Sequence, residues 1–444
     1  MLFTKNGAPV VRLLARLPRR RPGRLLAGLA RRHPDGRPGP ARAAVCFCAG
    51  AVVLAGCYGS PAGQQARAGG STPVTGSSQA GSGVWRAENS GTRQRLYDVA
   101  CLSALRCEAV GVAGTIVSTA NGGRTWRAQA NPLRGSATAL YRIACVAPGS
   151  CYVIARPDTI LVTHNGGAAW SSHVLPVGVS GTDLTDKSCL TAYTPGIIGR
   201  PALCRLGLLD IACVSARVCY AVSTAPPAYG DIPVPRAPHA APSSIWLTRD
   251  GGARWTRQSV PPGVACNGDC TSALYPYPLE WVTCLGSGLC RAGGGHLLGG
   301  HLGFADPVLV TRGPGRPWVC TTSAAACTGA PDVADCPTST RCYGVDSTNP
   351  FDVPDNFVSR STDGGAGWQQ VGPNWSSSVL NDIACPAALT CYLAGSRGSI
   401  ARITNGTTLA AQRTPTARDL YGIGCAGPAA CYAVGDNGTI LVLR

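Results

Sequence analysis

The sequence predicts an all-β protein, a seven-bladed β-propeller built from four-stranded antiparallel blades. Three observations lead to this fold class. A pair of cysteines separated by five residues occurs seven times, each pair opens the same longer phrase, and several copies end in a Gly-rich loop followed by Trp. Because one four-stranded sheet cannot bury both of its faces, the copies must pack against one another, and a radial arrangement of such sheets is a propeller.

The cysteine pairs set the number of blades and mark the first turn of each. In the first copy, residues 96–101 and 107–111 predict two strands, with the cysteines on either side of their turn. Residues 114–117 predict the third strand, and Trp126 opens the fourth. The seven pairs are Cys101 with Cys107, Cys145 with Cys151, Cys213 with Cys219, Cys284 with Cys290, Cys336 with Cys342, Cys385 with Cys391, and Cys425 with Cys431.

A Gly-rich loop joins the last two strands of the better preserved copies. Residues 119–126, 163–170, 248–255 and 361–368 fit the pattern Ser/Thr-x-Asp/Asn-x-Gly-x-x-Trp. The pattern suits a local turn, since Asp or Asn accepts hydrogen bonds from its own loop, Gly adopts positive φ, and Trp packs between blades. This motif therefore predicts a fold and not an activity.

The last blade lacks one strand at its own end of the sequence. The seventh copy stops at Arg444 without a Trp strand, whereas residues 83–87 carry an unpaired Trp85 in a strand-like setting before the first cysteine. We predict that this N-terminal strand completes the last blade and closes the ring, so that no sheet edge is left open at the seam. The predicted propeller domain covers residues 84–444.

The first 56 residues predict a signal peptide of the lipoprotein type. They begin with a strongly basic stretch in which only Asp35 is acidic, followed by a short apolar run over residues 43–56. Residues 54–57, Leu-Ala-Gly-Cys, resemble a bacterial lipobox, so cleavage would leave Cys57 as the lipid-modified N-terminus. A soluble secreted form and an uncleaved anchor are the alternatives. Residues 57–83, rich in Gly, Ser, Ala and Gln, predict a flexible tether.

The basic leader accounts for most of the net charge. The whole chain carries +17, whereas removal of residues 1–56 leaves 28 basic and 21 acidic side chains. This small excess gives little support to a domain that neutralises nucleic-acid phosphates, so we expect no nucleic-acid partner. We expect a monomer that is held by its lipid at the extracytoplasmic face of the cell membrane.

Cysteine usage agrees with export into an oxidising compartment. Twenty cysteines remain after Cys46, Cys48 and Cys57 are set aside, and this even number with local partners predicts ten disulfides. Zinc is the alternative, but its ligands usually come as two converging pairs, and pairs confined to separate blades do not converge. Neither a metal nor a cofactor is predicted. The three pairs outside the repeat are Cys189 with Cys204, Cys266 with Cys270, and Cys320 with Cys327.

The region from about residue 84 to residue 444 resembles the photosystem II assembly and stability factor family of sialidase-like, Asp-box propellers. The resemblance rests on the recurring Leu-x-x-Ile/Val-x-Cys opening of the blades and on closing loops such as residues 361–368. It implies a non-catalytic scaffold that holds a partner protein at a membrane surface. The cysteine pairs are an addition to the family pattern, and the resemblance assigns neither site residues nor a photosystem partner.

Long insertions indicate where a partner would dock. The second-to-third turns and the connections between blades share one rim of the ring, and the insertions all fall there, where a rigid scaffold can position loops for binding. Within this sector Tyr275, Tyr277 and Trp281 form an aromatic group suited to protein or sugar contacts, with core packing as the alternative for Trp281. The insertions are residues 177–206, 225–243, 261–278, 293–304, 317–330 and 346–356.

Charged residues recur at one position of the first strands. Asp98, Asp210 and Asp382 lie three residues before the first cysteine of their blades, and blade two has Arg142 there. On innermost strands these side chains would ring the central channel and could bind a charged ligand. The alternative is that each carboxylate accepts hydrogen bonds from nearby backbone amides.

The sequence therefore predicts a non-catalytic protein-binding or assembly scaffold at the outer face of the cytoplasmic membrane, and we assign no catalytic residue. The alternatives are a glycan-binding protein and a sialidase-like glycoside hydrolase. Sialidases need a Tyr nucleophile assisted by Glu, and this chain has only three Glu, namely Glu88, Glu108 and Glu280. Hydrolysis by a pair of Asp residues stays open.

Overall fold

The computed structural model describes residues 83–177, 207–224, 243–260, 279–294, 308–321, 330–347, 356–375 and 378–444. In this part of the chain, seven four-stranded antiparallel sheets pack side by side in chain order, and the last sheet packs against the first. The prediction of an all-β propeller with seven blades is confirmed. The predicted leader, Cys57 and nearly all of the predicted tether lie outside the described residues.

Each blade is formed by four strands that follow one another along the chain, except that the first strand of the chain joins the last blade. That strand is β1 (Trp85–Asn89). Blades one to three consist of β2 (Leu96–Ser103), β3 (Arg106–Gly111), β4 (Thr115–Thr119), β5 (Arg127–Ala128), β6 (Leu140–Ala147), β7 (Ser150–Ala155), β8 (Thr159–Thr163), β9 (Ser171–Val174), β10 (Gly207–Cys213), β11 (Cys219–Thr224), β12 (Ser244–Thr248) and β13 (Thr256–Gln258).

The remaining four blades repeat this order. They consist of β14 (Trp281–Cys284), β15 (Cys290–Gly293), β16 (Leu309–Thr311), β17 (Val319–Cys320), β18 (Val333–Asp335), β19 (Cys342–Ser347), β20 (Asn356–Ser361), β21 (Gln369–Gln370), β22 (Leu380–Ala387), β23 (Thr390–Gly395), β24 (Ile400–Thr404), β25 (Thr408–Gln412), β26 (Leu420–Gly427), β27 (Ala430–Gly435) and β28 (Thr439–Leu443). Short 3-10 turns at Ser396–Gly398 and Asp436–Gly438 connect strands of the last two blades.

The N-terminal strand closes the ring, as the sequence predicted. Strand β1 pairs antiparallel with β28, from Trp85 opposite Leu443 to Asn89 opposite Thr439. Trp85 is buried and meets the Tyr392 ring edge to face, with 6.1 Å between the ring centroids. The Trp126 and Tyr432 rings pack in the same way across the next seam, at 6.0 Å. Trp85 thus supplies the Trp that the seventh repeat lacks.

A disulfide joins the two cysteines of each repeat pair, and each bond ties the first two strands of its blade together across their turn. In most blades the two residues are direct cross-strand neighbours, as Cys101 and Cys107 are. The seven bonds join Cys101 to Cys107, Cys145 to Cys151, Cys213 to Cys219, Cys284 to Cys290, Cys336 to Cys342, Cys385 to Cys391, and Cys425 to Cys431.

The three cysteine pairs outside the repeat are described at one position only. Cys320 is in a disulfide, but its predicted partner Cys327 lies outside the described residues. Both members of the other two pairs also lie outside the described residues, so all three pairings stay predictions. These four residues are Cys189, Cys204, Cys266 and Cys270.

The Asp-box loops are held by hydrogen bonds within each loop. In blade one, the Gly123 amide donates to Thr119 Oγ1 at 2.9 Å and the Thr125 amide donates to Asn121 Oδ1 at 3.0 Å. The same loop also bonds the cysteine turn of its blade, because the Gly122 amide donates to the Leu105 carbonyl at 3.0 Å. Cysteine turns and Asp-boxes therefore share one face, which we call the cysteine rim. The second-to-third turns and the connections between blades form the opposite rim.

A tyrosine side chain connects neighbouring blades at most seams. The residue after the second cysteine is Tyr in five blades, and in four of them its hydroxyl donates to a carbonyl in the cysteine turn of the following blade. For example, Tyr392 reaches the Pro428 carbonyl at 2.7 Å. Blade four has Arg291 at this position, and its guanidinium donates to carbonyls of blade five instead. Blade one has Glu108, which cannot donate when it is ionised.

The seam between blades seven and one depends on a glycine. A Cβ on Gly422 would lie 2.5 Å from the Tyr97 carbonyl oxygen and 2.7 Å from Asp98 Cα, so the two backbones could no longer approach. We expect Gly422→Ala to lower the free energy of unfolding by about 1–3 kcal/mol, the usual cost of overpacking. Thermal denaturation measures this loss. Gly427→Ala in the same strand is the matched control, since nothing lies within 4 Å of its added Cβ; equal losses in both variants would contradict the explanation.

Candidate functional site

Carboxylates of the innermost strands connect successive blades around the central channel. The Ile143 amide of blade two donates to Asp98 Oδ2 at 2.9 Å, and the Val282 amide of blade four donates to Asp210 Oδ2 at the same distance. Asp382 accepts an equivalent bond from blade seven. The second of our two interpretations of these aspartates, as acceptors for backbone amides, therefore describes their main contacts.

Arg142 is the cation among these carboxylates. Its Nη1 lies 3.2 Å from Asp382 Oδ1, and its Nε lies 3.8 Å from Asp210 Oδ1. Asp210 comes from the neighbouring blade three, but Asp382 comes from blade six, which is not a neighbour of blade two, so the Arg142 side chain reaches into the channel. Burial lowers the pKa of Arg142, but the carboxylates of Asp382, Asp98 and Asp210 raise it more, so Arg142 stays charged.

Burial also shifts the pKa of the aspartates around Arg142. It raises the pKa of Asp98 to about 8 and that of Asp210 to about 6, against the opposing effect of Arg142 and of their backbone hydrogen bonds. A fourth acid, Asp335, was missed from the sequence because it lies one residue, not three, before its cysteine. It accepts a hydrogen bond from the Cys385 amide at 2.7 Å, and burial raises its pKa to about 6.

Three tyrosines gather at the end of the channel that opens on the opposite rim. Each is the second residue of an innermost strand. Tyr97 and Tyr141 directly precede the charged residues Asp98 and Arg142, whereas Tyr421 precedes Gly422. The Tyr97 and Tyr141 rings are stacked, with centroids 4.4 Å apart and planes within 11°. The Tyr421 ring meets Tyr97 edge to face at 5.6 Å. Tyr97 is buried, whereas the other two are half-buried, so they present part of their surface to solvent.

Two arginines lie over these rings. The Arg95 guanidinium is 5.2 Å from the centroid of Tyr421, and the Arg156 guanidinium is 4.5 Å from that of Tyr141. Arg95 also pairs with Asp436 of the last second-to-third turn at 2.5 Å, and its side chain is 38% exposed. We call this group the channel mouth; it consists of Tyr97, Tyr141, Tyr421, Arg95 and Arg156.

Sequence reasoning missed the channel mouth because it concentrated on insertions in blades three to five. A signal was nevertheless present, since a Leu-Tyr pair opens the first strand of blades one, two and seven at residues 96–97, 140–141 and 420–421. These blades are neighbours in the closed ring. Only closure brings the last blade beside the first and assembles the three rings.

Of the candidate aromatic group of blade four, only Trp281 lies within the described residues. Trp281 is 1% exposed, and its indole N–H donates to the Pro331 carbonyl at 2.8 Å. It packs at the seam with blade five beside Ala330 and Trp368, so the core-packing alternative describes Trp281. Tyr275, Tyr277 and most of the insertions lie outside the described residues.

One cluster has the spacing of metal ligands within the described ranges. It combines Glu108 with Cys145 and Cys151. Both sulfur atoms are already bonded to each other in a disulfide, so neither is a thiolate that could bind a metal.

Comparison with known proteins supports the resemblance predicted from the sequence. Residues 77–185 match the family model of photosynthesis system II assembly factor YCF48. The fold of YCF48 from Cyanidioschyzon merolae is similar, with a TM-score of 0.53 and 14% sequence identity over 81% of this chain and 98% of that one. YCF48 bound to a D1 peptide gives a TM-score of 0.52 and 15% identity over 81% and 94% of the two chains.

The propeller fold is shared beyond YCF48. The GH74 xyloglucanase of Xanthomonas campestris gives a TM-score of 0.51 and 12% identity over 80% of this chain and 53% of that one. At this level of identity the likeness concerns the fold alone. No curated protein matches the sequence of this chain. The residues that the structure describes contain no helix long and apolar enough to cross a bilayer.

Proposed function

We propose that this protein is a non-catalytic binding scaffold and that its channel mouth binds a segment of a partner protein. The observation that carries the proposal is the convergence of three tyrosines and two arginines at one end of the channel. All three rings sit on innermost strands, which are fixed by neighbours on both faces. A rigid aromatic surface of this kind loses little conformational entropy on binding.

The chemistry of the channel mouth suits a protein segment. Tyr and Arg are, with Trp, the residue types that are enriched at the energetic hot spots of protein interfaces. The Arg95–Asp436 pair is partly exposed, and such pairs contribute only ~0–1 kcal/mol, so Arg95 can exchange Asp436 for a carboxylate of the partner at little cost. We infer a partner segment with an apolar or aromatic side chain for the rings and an acidic group for the arginines.

The YCF48 similarity supports a protein partner, because a structure of YCF48 is known with a D1 peptide bound. The channel aspartates favour a scaffold over a hydrolase. Asp98 and Asp382 are each buried, and each accepts a backbone hydrogen bond from the next blade. A carboxylate that fixes neighbouring blades is poorly placed to act on a glycosidic bond.

Chemical crosslinking to host membranes, followed by affinity capture, tests the proposal. We expect the double variant Arg95→Ala/Tyr421→Ala to retain less than about one tenth of the partner captured by the wild type, as the loss of interface hot spots predicts. Leu105→Ala is the control, because Leu105 is 58% exposed on the cysteine rim. Each variant is first checked for an unchanged melting temperature.

Capture that survives in the double variant and fails in Leu105→Ala would place the partner on the cysteine rim and contradict the proposal. A screen with fluorogenic glycosides addresses the hydrolase alternative. Turnover by the wild type that disappears in Asp210→Asn would show that the channel carboxylates are catalytic.

We further propose that the protein is exported and held at the outer face of the cell membrane as a monomer by a lipid on Cys57. The lipobox-like residues 54–57 and the basic leader support this location. We expect Cys57→Ala to move the protein from the membrane fraction to the soluble fraction and to remove the lipid mass from its N-terminal peptide. An unchanged distribution and an N-terminal peptide of unmodified mass in the wild type would contradict lipidation.

A further inference from the structure

Glu108 occupies a position at the seam between two blades, and no other blade has an acidic residue there. It follows Cys107 on β3 and lies on the face of blade one that packs against blade two. Five blades have Tyr at this position and blade four has Arg291. Each of those Tyr side chains packs in the same cluster as a disulfide cysteine of the following blade, as Tyr432 does with Cys107. Glu108 instead places a carboxyl group against the disulfide of blade two.

The carboxyl group and the disulfide are in close contact. A carboxylate oxygen of Glu108 and the sulfur atoms of Cys145 and Cys151 all lie within 4.8 Å of one another. Glu108 Oε2 is buried, and no hydrogen-bond donor reaches it. A disulfide has no hydrogen to donate, whereas a thiol is a donor. The Glu108 carboxyl group therefore keeps one unsatisfied oxygen, and reduction of the disulfide would place thiol donors beside this carboxyl group.

The surroundings of Glu108 favour its neutral form. Burial raises the pKa of Glu108 to about 7, and the nearby amide of Gln129 opposes this rise. The cross-strand neighbours on β2 and β4 are Ala100 and Ser118, which carry no charge, and the disulfide of blade two lies against the carboxyl group. At neutral pH a substantial fraction of the molecules thus holds a proton beside the two sulfur atoms.

We propose that Cys145–Cys151 is a reducible disulfide, unlike its counterparts in the other blades, and that Glu108 donates the proton to the leaving sulfur. Cys145 is partly exposed and Cys151 is 1% exposed, so a thiolate of an external dithiol attacks Cys145 Sγ. The S–S bond breaks, Cys151 leaves as a buried thiolate, and the Glu108 carboxyl protonates it. The second thiol of the dithiol then resolves the mixed disulfide, which releases Cys145 as a thiol and the reagent as its disulfide.

The neighbouring disulfide provides an internal reference. Cys101–Cys107 has the same sequence spacing and the same position in its blade, but it packs against the Tyr432 ring, and no carboxyl group replaces that ring. A buried thiolate that leaves there has no adjacent acid. The ratio of the two reduction rates within one molecule therefore isolates the effect of Glu108, because the concentration and ionisation of the reagent cancel.

Reduction of the full-length folded protein with dithiothreitol, followed by alkylation and mass spectrometry of each cysteine peptide, tests the proposal. We expect Cys145–Cys151 to be reduced at least about ten times faster than Cys101–Cys107 at pH 6.5, a modest gain for general acid catalysis. The ratio should fall as the pH rises from 6 to 8, because Glu108 loses its proton across this range. Glu108→Gln should bring the ratio close to one and remove its pH dependence.

The reciprocal variant Tyr432→Glu places a carboxyl group beside Cys101–Cys107 and should accelerate reduction of that disulfide about tenfold. If this variant does not fold, the wild-type ratio and its pH profile still decide the question. Equal reduction rates for the two disulfides in the wild type, or a ratio that Glu108→Gln leaves unchanged, would overturn the proposal.

Discussion

Deletion of residues 84–88 is expected to lower the melting temperature by about 10 °C or more. These residues form most of β1, and their loss leaves the edge of β28 unpaired and removes Trp85 from its core cluster. Truncation of a buried Trp alone costs about 3–5 kcal/mol. In a domain of this size each kcal/mol corresponds to roughly 1–2 °C, and the lost pairing with β28 adds to the effect of the Trp.

Two point variants separate the contributions to ring closure. Trp85→Ala keeps the backbone pairing with β28. It should show at least half of the decrease in melting temperature that we expect for the deletion. Val84→Ala is the control, because Val84 is 58% exposed and its substitution should change the melting temperature by less than about 2 °C. A deletion variant that melts like the wild type would show that the ring does not depend on this strand.

Arg142→Met is expected to lower the free energy of unfolding by about 3–5 kcal/mol at pH 8 and by much less at pH 5. Removal of one partner from a buried ionic group leaves the other charges uncompensated. Arg142 lowers the pKa of Asp98 and Asp210, so without it these carboxyl groups must either repel one another or take up protons, and proton uptake is costly at pH 8. At pH 5 both carboxyl groups are largely neutral, so little repulsion remains.

The wild-type protein should itself become less stable as the pH rises from 5 to 8. Burial raises the pKa of Asp98, Asp210 and Asp335 above the value of about 4 in an unfolded chain. Between these values the native state holds protons that the unfolded chain has released. The stability that these groups contribute is present below about pH 4 and is lost as the pH rises through 6 to 8.

Denaturant titrations of both proteins at pH 5, 6.5 and 8 measure these effects. Arg95→Met is the matched control, since Arg95 pairs with a single carboxylate near the surface and should cost no more than about 1 kcal/mol at any of these pH values. An Arg142→Met loss that is the same at pH 5 and pH 8 would show that Arg142 acts by packing and not by its charge.

The fold could be predicted from the sequence because each repeat carries its own local signals. The cysteine spacing marks a turn, the Gly-rich loop fits another, and the Trp85 segment matches the strand that the seventh repeat lacks. These signals act within one blade or between neighbouring strands. Sequence separation within blades one to six is short, so the pattern of residues specifies the contact, whereas the pairing of Trp85 with Leu443 follows from the strand that the seventh repeat lacks.

The candidate site was harder to predict from the sequence. Trp281 was grouped with Tyr275 and Tyr277 as a candidate for partner contacts, with core packing as the alternative. It fills the seam between blades four and five, a position that depends on how far the next blade approaches. The sequence did not predict that Tyr97, Tyr141 and Tyr421 form one group, because two of them lie near the start of the chain and the third lies near its end. The contact between Arg142 and Asp382 likewise joins blades two and six, which are not neighbours in the ring.

The sequence by itself determined the number of blades, the disulfide of each repeat, the strand that closes the ring, and which turns share a rim. Only the tertiary structure decided which side chains meet at the axis and at the seams. Repeats specify their internal pairing through the alternation of side chains along each strand. Contacts across the channel depend on the closure and radius of the whole ring. The channel mouth, the contacts of Arg142 with the channel aspartates, and the contact of Glu108 with Cys145–Cys151 all join different blades, so only the tertiary structure shows them.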